Sequence, residues 1–280
     1  MTAPSLSPPR RRSVFADRLL QFPDFVFSDG REAAHRGRWR DFFGARMGPS
    51  FGGRIILEIG CNDAALLASV AATHPATAFV GIDWKCRALH TAAERIAAAG
   101  LRNVTLLHGR GQGIRRYFGD GELDEAWLFH PDPCDKPQEL PNRLIAEPFL
   151  LDVHAVLRPI AESVLIVKTD HLGYHESSLA LAEREAIHRH YALSAHSADF
   201  WKDEAILRHV AGRAFAGHVT PYEERFRKKR KPIYYFELRR RVAGANAAGD
   251  HRRGEGRAQV AQAGARTPPS SMKPSPAPSP

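Results

Sequence analysis

Four short β-branched runs in this chain each end on a carboxylate or lead straight into one. Glu58 lies near the end of RIILEIG (Arg54 to Gly60), and the turn Gly60-Cys61-Asn62-Asp63-Ala64 follows. Asp83 closes AFVGID (Ala78 to Asp83), 25 residues after Glu58; Asp132 sits in Pro131-Asp132-Pro133 behind DEAWLFH (Asp124 to His130); Asp170 follows SVLIVKT (Ser163 to Thr169). A carboxylate offers two acceptor oxygens, so an acid closing the second run suits the paired hydroxyls of an adenosine ribose. The competing reading of Asp83 is a helix N-cap. Two nucleoside cofactors match such a layout, a dinucleotide and S-adenosylmethionine. A dinucleotide wants G-x-G-x-x-G, so that backbone amides reach its pyrophosphate. This turn has one glycine and a carboxylate where a phosphate would lie, which disfavours the dinucleotide. Gly109-Arg110-Gly111-Gln112-Gly113 follows a middle run and reads as loop punctuation.

The elements that must carry these groups are legible from periodicity. The β-branched runs read as strands, joined by NVTLLHG (Asn103 to Gly109). Between them, Ala64 to Thr73 and Arg87 to Ala99 read as helices, the second stopped by Gly100, and Pro141 opens a third that ends near Leu157. Alternating strands and helices predict an α/β, doubly wound, mainly parallel sheet, with ligands gathered at the carboxyl ends of its strands. On a final strand, Ile233, Tyr235 and Glu237 face opposite to Tyr234, Phe236 and Leu238.

Composition bounds the rest. The 280 residues are 43% hydrophobic and 25% charged, with a formal net charge of +9, which is ordinary for a folded domain attracted to an anionic partner. Three cysteines, Cys61, Cys86 and Cys134, form no CxxC pair, so neither a disulfide framework nor a cysteine zinc site is expected, and no metal is assigned. No secretory leader and no apolar run of about 18 residues is read, so the expectation is a cytoplasmic protein without a membrane partner. Residues 1–13 and the Pro/Ala/Arg-rich stretch 243–280 lack the large apolar side chains needed to offset ordering entropy and read as disordered ends. They flank one domain at 14–242. The charge is unevenly spread: residues 225–241 hold nine basic groups against Glu237 alone, whereas 14–224 hold 23 basic and 28 acidic groups.

Several ordered pieces sharpen the function. They are Trp39-Arg40-Asp41-Phe42-Phe43, LEIG at 57–60, FVGID at 79–83, LFHPDPCDK at 128–136, KTD at 168–170 and TPYEERFRKKRKPIYYFELRR from Thr220. Together they resemble the bacterial tRNA (guanine-N7)-methyltransferase family from about Trp39 to Arg240. The resemblance implies a fold of the class I S-adenosylmethionine-dependent methyltransferase type, S-adenosyl-L-methionine as cofactor and tRNA as partner. It implies cofactor-binding roles for Glu58, Gly60, Asp83 and Asp132, with Asp132 also catalytic. It implies substrate-binding roles for Lys136, Asp170, Thr220 and Glu223. No obligate protein partner is evident, and a monomer or homodimer is expected. The chain departs from the family where Asn62 and Ala64 replace the second and third glycines of E-I-G-x-G-x-G, and where Arg110 replaces an acid after the third run. The tryptophan and basic run usual after PDP shrink to Cys134, Asp135 and Lys136, and the usual glycine pair before the strand of KTD becomes Ile160-Ala161. These departures motivate an alternative, a methyltransferase-fold RNA-binding protein with weakened or lost catalysis.

Guanine N7 carries a lone pair and no proton, so its methylation needs alignment rather than a base, with a carboxylate such as Asp132 stabilising the charge that develops on the purine. Lys136, Arg143 and the run Arg227-Lys228-Lys229-Arg230-Lys231, flanked by Tyr222, Phe226, Tyr234, Tyr235 and Phe236, are read as groups that hold phosphates and bases; a solvated charged face and core aromatics compete with that reading. His130 and His171, beside PDP and KTD, read as satisfied loop histidines.

Overall fold

The computed structural model describes residues 13–242. The predicted N-terminal segment, apart from Ser13, and the predicted tail 243–280 lie outside the described residues. The strands are β1 (Val26–Phe27), β2 (Ile55–Ile59), β3 (Ala78–Asp83), β4 (Val104–His108), β5 (Glu125–Phe129), β6 (Val164–Thr169), β7 (Tyr191–Ser197) and β8 (Tyr234–Arg240). They form one sheet in the order β1-β4-β3-β2-β5-β6-β8-β7, parallel from β1 to β6, with β8 antiparallel between β6 and β7. The helices are α1 (Val14–Leu19), α2 (Trp39–Met47), α3 (Ala65–Thr73), α4 (Cys86–Ala98), α5 (Ile114–Tyr117), α6 (Glu147–Val156), α7 (Leu172–Glu183), α8 (Glu185–His188), α9 (Glu204–Val210) and α10 (Pro221–Lys228).

Both faces of the sheet are covered, which is why β2 is buried at every position and carries apolar side chains on both faces, with Glu58 its one polar residue. Ile55, Leu57 and Ile59 enter one core with Trp39, Phe43, Leu128 and Val167. Ile56 enters the other, with Phe79, Trp127, Ile166 and Tyr235. The alternation predicted for the last strand holds, with Ile233 and Tyr235 in one core and Phe236 and Leu238 in the opposite one.

The chain runs outward from β2 through β3 to β4, then returns to lay β5 on the other side of β2. The order therefore reverses between β2 and β5, and the carboxyl ends of these strands diverge to leave a crevice. One expected helix is shorter than its sequence suggests. Leu140–Asn142 is a single 3₁₀ turn, and α6 starts at Glu147. Arg143 turns extended (ψ 131°), its Nε donating to the Pro133 carbonyl at 2.8 Å, and the Ile145 amide donates to the Tyr174 hydroxyl at 3.2 Å. These long-range bonds compete successfully with helix propensity.

Candidate active site

The turn after β2 carries left-handed backbone at three alternate positions, Gly60 (φ 79°), Asn62 (φ 49°) and Ala64 (φ 51°). Glycine adopts this region freely and asparagine tolerates it, while alanine accepts roughly 1–2 kcal/mol of strain. The turn thus keeps a three-glycine course with one glycine. The Gly60 and Cys61 amides donate to the Ile82 carbonyl at 2.8 and 3.1 Å, and the Asn62 amide donates to Asp83 Oδ2 at 3.0 Å. A Cβ on Gly81 would meet Cys61 Sγ at 2.8 Å, so the glycine in FVGID lets the turn lie against β3. Asp63 accepts from the Ala65 amide at 3.3 Å and pairs with Arg95 at 2.9 Å, which fixes the start of α3.

Glu58 is buried in the wall of the crevice, and among the described residues its Oε2 has no hydrogen-bond partner. Burial, reinforced by Asp63, Asp83 and Glu223, raises its carboxyl to about 8. Asp83 is not the N-cap of α4, a position held by Lys85. Its Oδ1 accepts from the Lys85 amide at 2.8 Å, an Asx-type turn that fixes the carboxylate in the crevice lining. Each Asp83 oxygen keeps acceptor capacity beyond its one backbone bond.

The crevice is about 1020 Å³ and is lined by Glu58, Gly60, Asn62, Asp83, Asp132 and Thr220, among others. Asp132 is exposed, its Oδ1 accepting from the Cys134 amide at 3.2 Å. Lys136 does not line the crevice; it stands on the outer loop, paired with Glu139 at 3.0 Å. Arg143 is committed inward rather than free for phosphates. Besides its bond to Pro133 it pairs with Asp135 at 3.3 Å, donates to Ser177 Oγ at 3.1 Å and packs on the Tyr174 ring.

Behind the crevice lies a charged cluster. Thr220 and Glu223 form a capping box at the start of α10, with Pro221 at its first position. The same buried Glu223 carboxylate pairs with the buried Lys168 of β6 at 3.0 Å. The Lys168 ammonium is enclosed by Phe200, Phe215, Phe129 and Trp201, 4.1 to 5.4 Å from their ring centres. Burial pulls the Lys168 pKa down more than Glu223 pulls it up. Burial pushes Glu223 up, but His130, Lys168 and the Thr220 amide hold it down at about 2.

The left-handed His130 (φ 53°) lies between Asp170 at 3.7 Å and Glu223 at 3.8 Å. Among the described residues neither ring nitrogen has a hydrogen-bond partner, which corrects the reading of His130 as a satisfied loop histidine. Burial lowers its pKa, and the two carboxylates more than offset that to leave it raised. His171 does fit that reading, capping α7 through the Tyr174 amide and pairing with Asp135 at 2.8 Å. Of the aromatics assigned to a surface, Tyr235 and Phe236 are core, and Tyr222 is exposed with its ring 4.7 Å from His130.

A doubly wound sheet whose reversal point opens into an acid-lined crevice of this kind defines an α/β enzyme that binds a nucleoside cofactor. More particularly, the chain belongs to the putative methyltransferase family, whose model matches residues 53–236. It is 29% identical to the tRNA (guanine-N(7)-)-methyltransferase of Lactococcus lactis subsp. cremoris over 208 residues, covering 74% of this chain and 87% of that protein. It is 29% identical over 230 residues to the Streptococcus thermophilus protein of the same name, covering 81% and 96%. A solved structure described as an antibiotic-related methyltransferase aligns over 71% of this chain and 92% of its own, with 16% identity and a TM-score of 0.49. The cofactor of this enzyme class is S-adenosyl-L-methionine, and the residues present fit it. The unpartnered oxygen of Glu58 and the surrounding acids suit a ligand bearing a sulfonium and an ammonium.

Proposed function

We propose that this chain transfers the methyl group of S-adenosyl-L-methionine to N7 of a guanine in tRNA, acting on the cytoplasmic tRNA pool. The observation that carries the reading is one crevice lined together by Glu58, Asp83 and Asp132 and by Thr220 and Tyr222 of the α10 segment. Arg227, Lys228, Lys229, Arg230 and Lys231 follow at the end of that helix, all exposed. The relatives' names support guanine N7 and tRNA as target.

The bound cofactor supplies an electrophilic methyl on a positively charged sulfur. Glu58 and Asp83 bind and orient it through acceptor oxygens. Asp132, held in its turn by the Cys134 amide, keeps Oδ2 available for the N1-H and amino group of a guanine. Its negative charge stabilises the purine as positive charge arrives, and no proton is removed from N7. Alignment of this kind supplies roughly 7–11 kcal/mol of a barrier. Thr220 and Glu223 set the rim that receives the nucleotide, with His130 and Asp170 packed behind it. Lys136 reaches RNA from the outer loop. The left-handed course kept by Asn62 and Ala64 supports a competent cofactor turn, against a purely RNA-binding role.

The test is Asp132→Ala in the full chain, with transfer of labelled methyl to bulk tRNA and RNA affinity both measured. Turnover is expected to vanish while affinity changes less than about threefold. A fully active variant refutes the role of Asp132, and methylation at any atom but guanine N7 refutes the assigned reaction.

A further inference from the structure

A second cavity, of about 660 Å³, lies at the end of the sheet opposite the crevice. It is built where β2, β5 and β6 begin, from Arg54 just before β2, Asp124 just before β5 and Glu162 ahead of β6, together with residues of α2, α9 and the end of β8. The strands between the two ends have five or six residues and span roughly 17–20 Å, so a small ligand held here is remote from the crevice. Arg40, Arg54, Arg158, Arg213 and Arg239 all line this cavity. They come from five separate stretches of chain, and no local sequence pattern gathers them.

Buried acids hold these arginines from behind. Asp124 pairs with Arg40 at 3.0 Å and with Arg158 at 2.9 Å, Glu125 with Arg213 at 2.8 Å and with Arg54, and Glu237 with Arg213 at 3.2 Å. Asp124 and Glu125 are only 10% and 1% exposed, against 33%, 41% and 39% for Arg40, Arg54 and Arg158, so a ligand meets guanidinium groups before it meets carboxylates. The acceptors are also fully taken. Asp124 Oδ2 accepts from the Ile55 amide at 2.8 Å, Glu125 Oε2 from the Trp127 indole at 2.7 Å, and Glu237 contacts His209 at 3.0 Å and accepts from the Tyr235 hydroxyl. The donors are not. A guanidinium carries five, yet Arg54 and Arg158 each place a single one on these acids. The Arg239 side chain, on the same face of β8 as Glu237, has no partner among the described residues, its buried Nε included. Glu162, the remaining acid of the lining, is exposed and pairs with none of the arginines among the described residues.

Surplus donors beside occupied acceptors suit a ligand that only accepts. A guanidinium fork matches carboxylate or phosphate oxygens two at a time. Five forks around one cavity outnumber the two oxygens of a carboxylate, and a diphosphate supplies enough. We propose that this cavity is a binding site for the diphosphate group of a small free anion, inorganic pyrophosphate or a nucleoside diphosphate, separate from the crevice and independent of the methyl-transfer reading.

The experiment titrates the full chain with inorganic pyrophosphate by calorimetry. The expected result is one saturable site at sub-millimolar concentration. Arg239→Gln leaves no acid without its partner, so it is expected to keep the urea midpoint of the wild type. Pyrophosphate affinity is expected to fall about tenfold or more in that variant, the loss of a charge-assisted hydrogen bond. Arg158→Gln, in which Asp124 keeps Arg40 and the Ile55 amide, is expected to weaken pyrophosphate in the same way. Saturating S-adenosylhomocysteine and saturating tRNA are both expected to leave the pyrophosphate affinity unchanged. Absence of saturable heat at millimolar pyrophosphate overturns the proposal, as does an unchanged affinity in either variant. Displacement by S-adenosylhomocysteine would put the anion in the crevice and displacement by tRNA would put it on the RNA surface, and either result overturns the assignment to this cavity.

Discussion

Glu58 is the residue where structure most directly becomes a measurable pH dependence. Its carboxyl is raised to about 8 by burial and by Asp63, Asp83 and Glu223, so at pH 7 the free protein holds it mostly protonated. A ligand that brings a positive charge to the unpartnered Oε2 binds the ionised form. Binding near pH 7 then releases about 0.9 proton, and affinity for S-adenosylhomocysteine rises by about tenfold per pH unit until about pH 8, close to 100-fold between pH 6 and 9. Calorimetry in buffers of different ionisation enthalpy reads the proton count directly. Glu58→Gln removes the titrating group, so its affinity profile is expected to be flat and, above pH 8, weaker than that of the wild type. Folding stability carries the same signature with the opposite sign. A folded-state pKa above the unfolded value means that stability is full below about 4.5 and declines as pH rises to about 8, by up to about 5 kcal/mol. Glu58→Gln is expected to abolish that decline in urea unfolding. Equal pH slopes for binding in wild type and variant would refute the assignment of Glu58 to the cation.

Glu223→Gln leaves Lys168 buried without its counter-charge and is expected to cost about 3–5 kcal/mol in urea unfolding, whereas Lys168→Met with Glu223→Gln costs far less; equal losses would mean the pair is not the source. Because Glu223 is depressed to about 2, its stabilisation is present above the unfolded value of 4.5 and is lost as pH falls through 2, a slope the variant should lack in acid titration. Replacing Arg227, Lys228, Lys229, Arg230 and Lys231 by Gln is expected to weaken tRNA binding and reduce the salt slope by about 0.7–0.9 for each phosphate no longer neutralised, and by more than removal of 1–12 and 243–280 does. Unchanged binding would misassign the charge. Arg143→Ala frees the Pro133 carbonyl and Asp135, and is expected to lower turnover by up to about 100-fold through misplacement of Asp132, with tRNA affinity preserved; an unchanged rate would show that the loop holds without it.

The amino-acid sequence by itself determined the strands β2 to β6, the order of acids at their ends and the concentration of charge at 225–241. These are local properties, because an unbroken apolar run declares a doubly covered strand and a carboxylate at its end declares a polar rim. What it left open depends on distance through space. The left-handed backbone at Asn62 and Ala64 is set by the folded turn, and Cys61 beside them packs against β3 only because Gly81, some 20 residues away, leaves room for its side chain. Glu223 shows the same limit. Its T-x-x-E spacing announces a capping box, yet only the folded chain brings it against Lys168 inside an aromatic enclosure drawn from β5 and from residues 200, 201 and 215. Arg143 reads as a phosphate ligand from its charge, and becomes a tether because Pro133, Asp135 and Ser177 surround it. Residue type and spacing report which groups are available and which element bears them. Partner identity, burial and hence protonation are sums over neighbours far apart in the chain, and only the tertiary structure decides them.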